Sequence, residues 1–131
     1  MKADYKIYGE ERLVVLKVEG RPNLAGMKQL YEDCIGDPEF RREFDGVSDL
    51  RKVESNLTRE EACSLAGEVV AQEMSTGTWA VLASTPLTTA LSYVYDQTVR
   101  AQHPLHVCST VVGAGKILGR DLSPYLEPGP E

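Results

Sequence analysis

The apolar residues of this chain first alternate and then recur at helical spacing, and that change of period divides the sequence into elements. Residues 4–9 and 12–19 read as an antiparallel strand pair joined across Glu10-Glu11. In the second strand Val14, Leu16 and Val18 share one face, and Leu13, Val15 and Lys17 share the other. Leu24, Met27, Leu30, Tyr31, Cys34 and Ile35 then mark a helix, with Asn23 placed to cap it and Gly36 before Asp37-Pro38 placed to stop it. A polar loop containing Phe40 and Phe44 leads to a short strand predicted over 46–50. Thr58 opens the next helix, and its spacing from Glu61 is that of a capping box. Ala62, Leu65, Ala66, Val69 and Val70 form the apolar face of that helix, with Glu60, Ser64, Glu68 and Gln72 opposite.

Residues 78–83 are an almost unbroken apolar run, the pattern of a central strand covered on both faces, so Trp79 is expected to be buried. Thr85-Pro86 supplies an N-cap and a proline at the first helical position. The helix opened there carries Leu87, Ala90, Leu91, Val94 and Thr98 on one stripe and ends at His103-Pro104. Residues 105–112 are predicted as the last strand and Gly113 to Gly119 as a short helix. The order β-β-α-β-α-β-α-β-α predicts an α/β fold: a single domain with a mixed five-stranded sheet, mostly parallel, its first strand antiparallel at an edge. The domain is placed at residues 1–122, with a Pro/Gly-rich tail at 123–131 that is expected to be loose.

Composition narrows the function classes. At 131 residues and 42% hydrophobic, the chain suits one core and needs neither metal nor disulfide to fold. Fourteen basic residues face 20 acidic ones, and the one tight basic pair, Arg41-Arg42, lies between Glu39 and Glu43. Phosphate-backbone binding needs clustered Lys and Arg, so no nucleic-acid partner is expected. No apolar run approaches the roughly 18 residues of a membrane span, so no integral membrane segment is expected. The start lacks the pattern of a secretion signal, and three cysteines without a C-x-x-C pair suit free thiols in a reducing compartment. The expected location is cytoplasmic.

Few motifs invite chemistry. Gly113-Ala114-Gly115-Lys116 suggests a phosphate loop, but a Walker loop needs glycine where Thr110 stands and a hydroxyl where Ile117 stands, so the segment reads as a plain strand-to-helix turn. His103 and His106 have no third ligand at regular spacing, and no metal or other cofactor is expected. Cys34 and Cys63 fall on helix faces and read as core thiols, which leaves Cys108 as the thiol to test for reactivity. No nucleophile, base and oxyanion donor form a set, so the chain is not expected to be an enzyme. Asp49 with Arg51 at the end of the third strand is the most notable charged pair, because ligands of open α/β sheets bind beyond the strand C-termini. The plainer alternative is a local ion pair.

The runs Asp4-Tyr5 through Gly20, Asp37-Pro38-Glu39-Phe40 and Ser48-Asp49-Leu50-Arg51-Lys52-Val53, followed by the acidic helix from Thr58, resemble a STAS-like domain. Such domains are relatives of the sporulation anti-sigma-factor antagonists, with a remote similarity to CRAL-TRIO lipid-binding domains. The resemblance covers residues 4–119. It implies a β-α sheet and a role in regulation through protein–protein contacts. In those antagonists a kinase phosphorylates the serine of a D-S-x-G motif. The corresponding stretch here is Glu54-Ser55-Asn56-Leu57-Thr58, with Glu in place of the Asp and no motif glycine.

The leading expectation is therefore a non-catalytic regulatory or protein-interaction module. The alternative is a small-ligand or lipid sensor with a pocket at the C-terminal ends of the parallel strands. Asp49, Arg51, Ser55, Thr58, Ser84 and Thr85 are the expected contacts to an unknown protein partner or a small apolar or acidic ligand. In this picture Arg51 is the charged anchor and Ser55 the switch. A homodimer is the expected assembly, because an open sheet has edges that need cover.

Overall fold

A computed structural model describes residues 1–129. Five strands form one sheet in the order β1 (Lys2–Tyr8), β2 (Leu13–Gly20), β3 (Asp45–Val53), β4 (Trp79–Leu82), β5 (Leu105–Cys108). β1 runs antiparallel to β2, and the remaining neighbours are parallel. Four helices complete the chain: α1 (Leu24–Ile35), α2 (Arg59–Ala71), α3 (Pro86–Val99) and α4 (Val111–Leu118). The predicted α/β class, the mixed five-stranded sheet and the element order are all observed. Among the described residues no helix is long and apolar enough to cross a membrane.

The strand order dictates the layering. β2 to β5 succeed one another across the sheet without a reversal, so every right-handed crossover places its helix on the same side. α1, α2 and α3 accordingly share one face, where Val14, Leu16 and Val18 of β2 meet Met27, Leu30, Leu65 and Val69. The other face can be covered only by the chain beyond β5. α4 and the segment through Leu126 do this, packing Val111, Ala114, Leu122 and Leu126 onto Leu13, Val15, Val47 and Leu82. Burying each large aliphatic side chain contributes about 1.5–3 kcal/mol.

Helix starts coincide with the predicted caps. Asn23 Oδ1 accepts from Gly26 N at 2.7 Å. Thr58 and Glu61 form the reciprocal capping box, at 3.1 and 2.9 Å. Thr85 caps α3 with Pro86 in its first turn. The strand from 79 is interior, between β3 and β5, and Trp79 is 8% exposed. Gly46 makes room for it, since a Cβ there would lie 2.5 Å from the indole ring. Gly77 is equally constrained, because a Cβ would sit 2.0 Å from the carbonyl oxygen of Phe44.

Five local expectations are corrected. The third strand runs on to Val53 rather than ending at 50, because β2 keeps pairing past an irregularity between Lys17 and Glu19. Its charged residues Asp49, Arg51 and Lys52 hid that extension in the sequence. The last strand ends at Cys108, and α4 begins at Val111, capped by Thr110. Gly113 and Gly115 consequently lie inside α4, and Gly115 instead admits the close return of Arg120. Cys63 is exposed on α2 instead of buried.

The tail is also more ordered than expected, because Leu126 is buried and Tyr125 meets Tyr8 edge-on at 4.6 Å. Residues 130 and 131 of that tail lie outside the described residues.

Candidate functional site

Between the sheet and the α1–α3 layer lies a cavity of about 150 Å³. Its walls are mostly apolar: Leu16 and Val18 from β2, Leu65 and Val69 from α2, and Trp79 and Val81 from β4. The loop after α2 closes it at the N-terminal ends of β4 and β5. There Met74 and Ser75 are buried, and Trp79 Nε1 donates to Ser75 Oγ at 2.9 Å. Asn56 and Leu57 line it at the opposite end.

α3 supplies the polar wall. The sequence pattern predicts that Leu87, Ala90, Leu91, Val94 and Thr98 face the core. The structure instead buries Thr88, Ser92, Asp96 and Val99, and leaves Leu87 58% and Tyr93 54% exposed. The helix is held in this rotation at both ends. Thr88 Oγ1 donates to Asn56 Oδ1 at 2.9 Å, and Asp96 Oδ1 accepts from Leu105 N at 3.2 Å at the start of β5. Ser92 Oγ donates to Thr88 O at 2.8 Å, and Asp96 Oδ2 pairs with Arg100 at 2.7 Å. Each of these buried polar groups has a partner, which is what makes the polar stripe tolerable inside. Tyr31 and Tyr95 stand together in the same wall, and burial pushes both phenols above their ordinary value.

One wall residue is different. His103 is 4% exposed and lines the cavity, yet neither ring nitrogen has a hydrogen-bond partner. Burial holds its pKa below the ordinary value, with the nearby Asp96 charge working in the opposite direction. An unsatisfied buried donor or acceptor costs about 1–3 kcal/mol. Among the described residues the only other buried side-chain nitrogen or oxygen without a partner is Gln102 Oε1.

The six residues singled out from the sequence lie elsewhere, and none lines the cavity. Side chains alternate along β3, so Ser48 and Leu50 face the cavity while Asp49 and Arg51 share the side of Val47, towards α4. Asp49 and Arg51 form a two-pronged pair at 2.9 Å, and Arg51 Nη2 donates to Glu127 O at 2.8 Å. Burial alone would push the Asp49 carboxyl up. The Arg51 hydrogen bonds and charge outweigh that and hold it below the usual carboxylate range. Lys17 and Lys52 grip the Glu127 carboxylate at 3.3 Å each. The pair is a local ion pair that also clamps the tail through Glu127.

Ser84 Oγ donates to Arg51 O at 2.9 Å, Thr85 and Thr58 are occupied as caps, and Ser55 is half-buried in the loop before α2. No strand-order reversal opens a crevice at the strand C-termini, and the cavity reaches that end only beneath the helices, where Val53, Asn56, Leu57 and Thr88 line it.

The thiols are quiet. Burial pushes Cys34, beside the cavity, up to about 12, and Cys108 up to about 11. Cys108, the thiol marked for a reactivity test, instead lies within hydrogen-bond distance of Val81 O, at 3.4 Å. A second hollow of about 380 Å³ lies against α4 and residues 119–123. Its charged rim is Lys116, Arg120 and Asp121, and Arg120 is already engaged by Glu11 O and Asp45.

His103, Thr88 and Ser92 are the residues that sequence reasoning missed. The available signal was the i, i+4 spacing of Thr88, Ser92 and Asp96, which competes with an equally regular apolar stripe beside it. No protein-family model and no curated protein matches this chain.

Proposed function

We propose that this protein is a non-catalytic binding module for one small, largely apolar molecule, seated between the sheet and α1–α3. The cavity carries this reading. A mostly apolar space of about this volume matches a benzene-sized guest. Pockets for drug-sized molecules span about 300–1,000 Å³, so the volume favours a single ring or a compact branched molecule over a lipid. A two-dimensional NMR titration with toluene tests the reading. Shifts gathered on Leu65, Val69, Trp79 and Ser92 support it. Absent shifts, or shifts gathered around α4, overturn it.

A second reading, the regulatory or partner-binding module, is favoured by a separate observation. α3 turns Leu87, Ala90 and Tyr93 outward while Thr88 and Ser92 on its inner side meet the cavity. One helix thus touches both a ligand and a surface on which a second protein, or a second copy of this chain, can dock. Sedimentation at high micromolar concentration tests the homodimer. A dimer that Leu87→Glu dissociates supports this reading, and a monomer mass removes the self-association.

A further inference from the structure

We propose that the ligand carries a hydroxyl group on a small aromatic ring, the phenol class, and that His103 is the residue that recognises it. This inference rests on the reading of the cavity as a ligand site. It goes beyond that reading by naming the chemical class and the recognising group.

Three observations converge. First, the volume of about 150 Å³ is that of a single-ring guest, and the Trp79 indole offers it an aromatic wall held in place by Ser75. Second, the other fully buried polar side chains of the wall, Ser75, Thr88 and Ser92, are already engaged, and Ser48, whose hydroxyl is free, is only half-buried. Ser92, Thr88 and Asn56 form one hydrogen-bonded run, and Ser75 takes the indole N–H. Third, His103 alone among the buried side chains of the wall has both nitrogens unpartnered. Its backbone is anchored by His103 N donating to Val99 O at 2.9 Å, where the chain leaves α3. The torsion that turns an imidazole is broad, so a ligand group can draw a nitrogen to the cavity wall.

The state of the histidine selects the ligand chemistry. A neutral imidazole offers one donor and one acceptor. A hydroxyl can answer either, whichever nitrogen carries the proton. A carboxylate or phosphate can only accept, and it would bring a negative charge into an apolar space close to Asp96. An ammonium group can only donate, and both Asp96 oxygens that would neutralise it are already engaged by Leu105 N and Arg100.

The experiment compares benzene with phenol by calorimetry on the wild type, His103→Leu and His103→Gln, and tracks the imidazole nitrogens by nitrogen-15 NMR. Phenol is expected to bind the wild type about tenfold more tightly than benzene, the scale of one net hydrogen bond. The His103 nitrogen signals should move with phenol and stay in place with benzene. His103→Leu should keep benzene affinity and lose the preference, and His103→Gln should retain part of it. Equal affinities in the wild type, or a preference that survives in His103→Leu, overturn the proposal while leaving the cavity reading standing. If neither compound binds the wild type, the cavity reading itself fails.

Discussion

The two faces of the sheet have the same strands behind them and opposite characters in front. Where α4 meets the sheet the packing is tight: Ala114, Ala80 and Leu82 are fully buried, no strand residue lines the hollow beside α4, and the tail is fastened by the Asp49–Arg51–Glu127 clamp. The α1–α3 face keeps a cavity, a polar helix stripe turned inward and a histidine with nothing to bond. On the proposed reading the α1–α3 face is the one that binds, and the charged clamp, the most conspicuous polar feature of the sequence, holds the tail.

The sharpest way to break this comparison is to cut the clamp. Arg51→Ala leaves the buried Asp49 carboxylate unpaired and should cost about 3 kcal/mol in denaturant unfolding. Toluene affinity should stay within about twofold of wild type, since neither residue meets the cavity. Loss of affinity in a folded Arg51→Ala protein would return the clamp to the site.

Next in size is a pair of insertions. Ala114→Leu overfills the closed face and should destabilise by about 2 kcal/mol, whereas Ser92→Leu fills the cavity and should leave stability unchanged or raised while abolishing toluene binding. Equal losses from the two insertions would mean that both faces are packed alike.

The pH dependence is smaller and separates His103 from the clamp. Burial lowers the His103 pKa, so the unfolded chain takes up a proton at a pH where the folded chain still excludes it. Stability should fall as pH drops below about 6.5, by at most about 1.4 kcal/mol per pH unit, and level off below the folded-state pKa. His103→Leu should remove that slope. Asp49, whose pKa is lowered, contributes stability that is lost only near and below about pH 4, outside this window. Thr58→Ala should cost about 1 kcal/mol through the cap of α2, and Ser55→Glu should leave thermal stability nearly unchanged.

What was legible in the sequence was whatever local chemistry decides. The caps at Asn23, Thr58 and Thr85, the stop at Gly36 and the buried run at Trp79 each depend on neighbours within a few residues, and each appears where expected. What was not legible depends on distant partners. The rotation of α3 is set by Asn56, 32 residues before its partner Thr88, and by the start of β5 at Leu105, so of its apolar stripe Leu87 and Ala90 turn outward while Leu91 reaches the cavity. Leu122 and Leu126 pack because the opposite face has no other cover, a consequence of strand order. Asp49 and Arg51 drew attention as charges in a strand, and only the position of Glu127 shows what they hold. His103 looked ordinary because its lack of partners is a property of the packed interior.

The most direct test of the binding face is a crystal of the full chain pressurised with xenon, an atom that enters dry apolar cavities of this size without needing a hydrogen bond. The expected result is xenon density among Leu65, Val69, Trp79 and Val81, with none between α4 and the sheet. An empty α1–α3 face, or xenon found only beneath α4, would contradict the assignment of the cavity as the functional site.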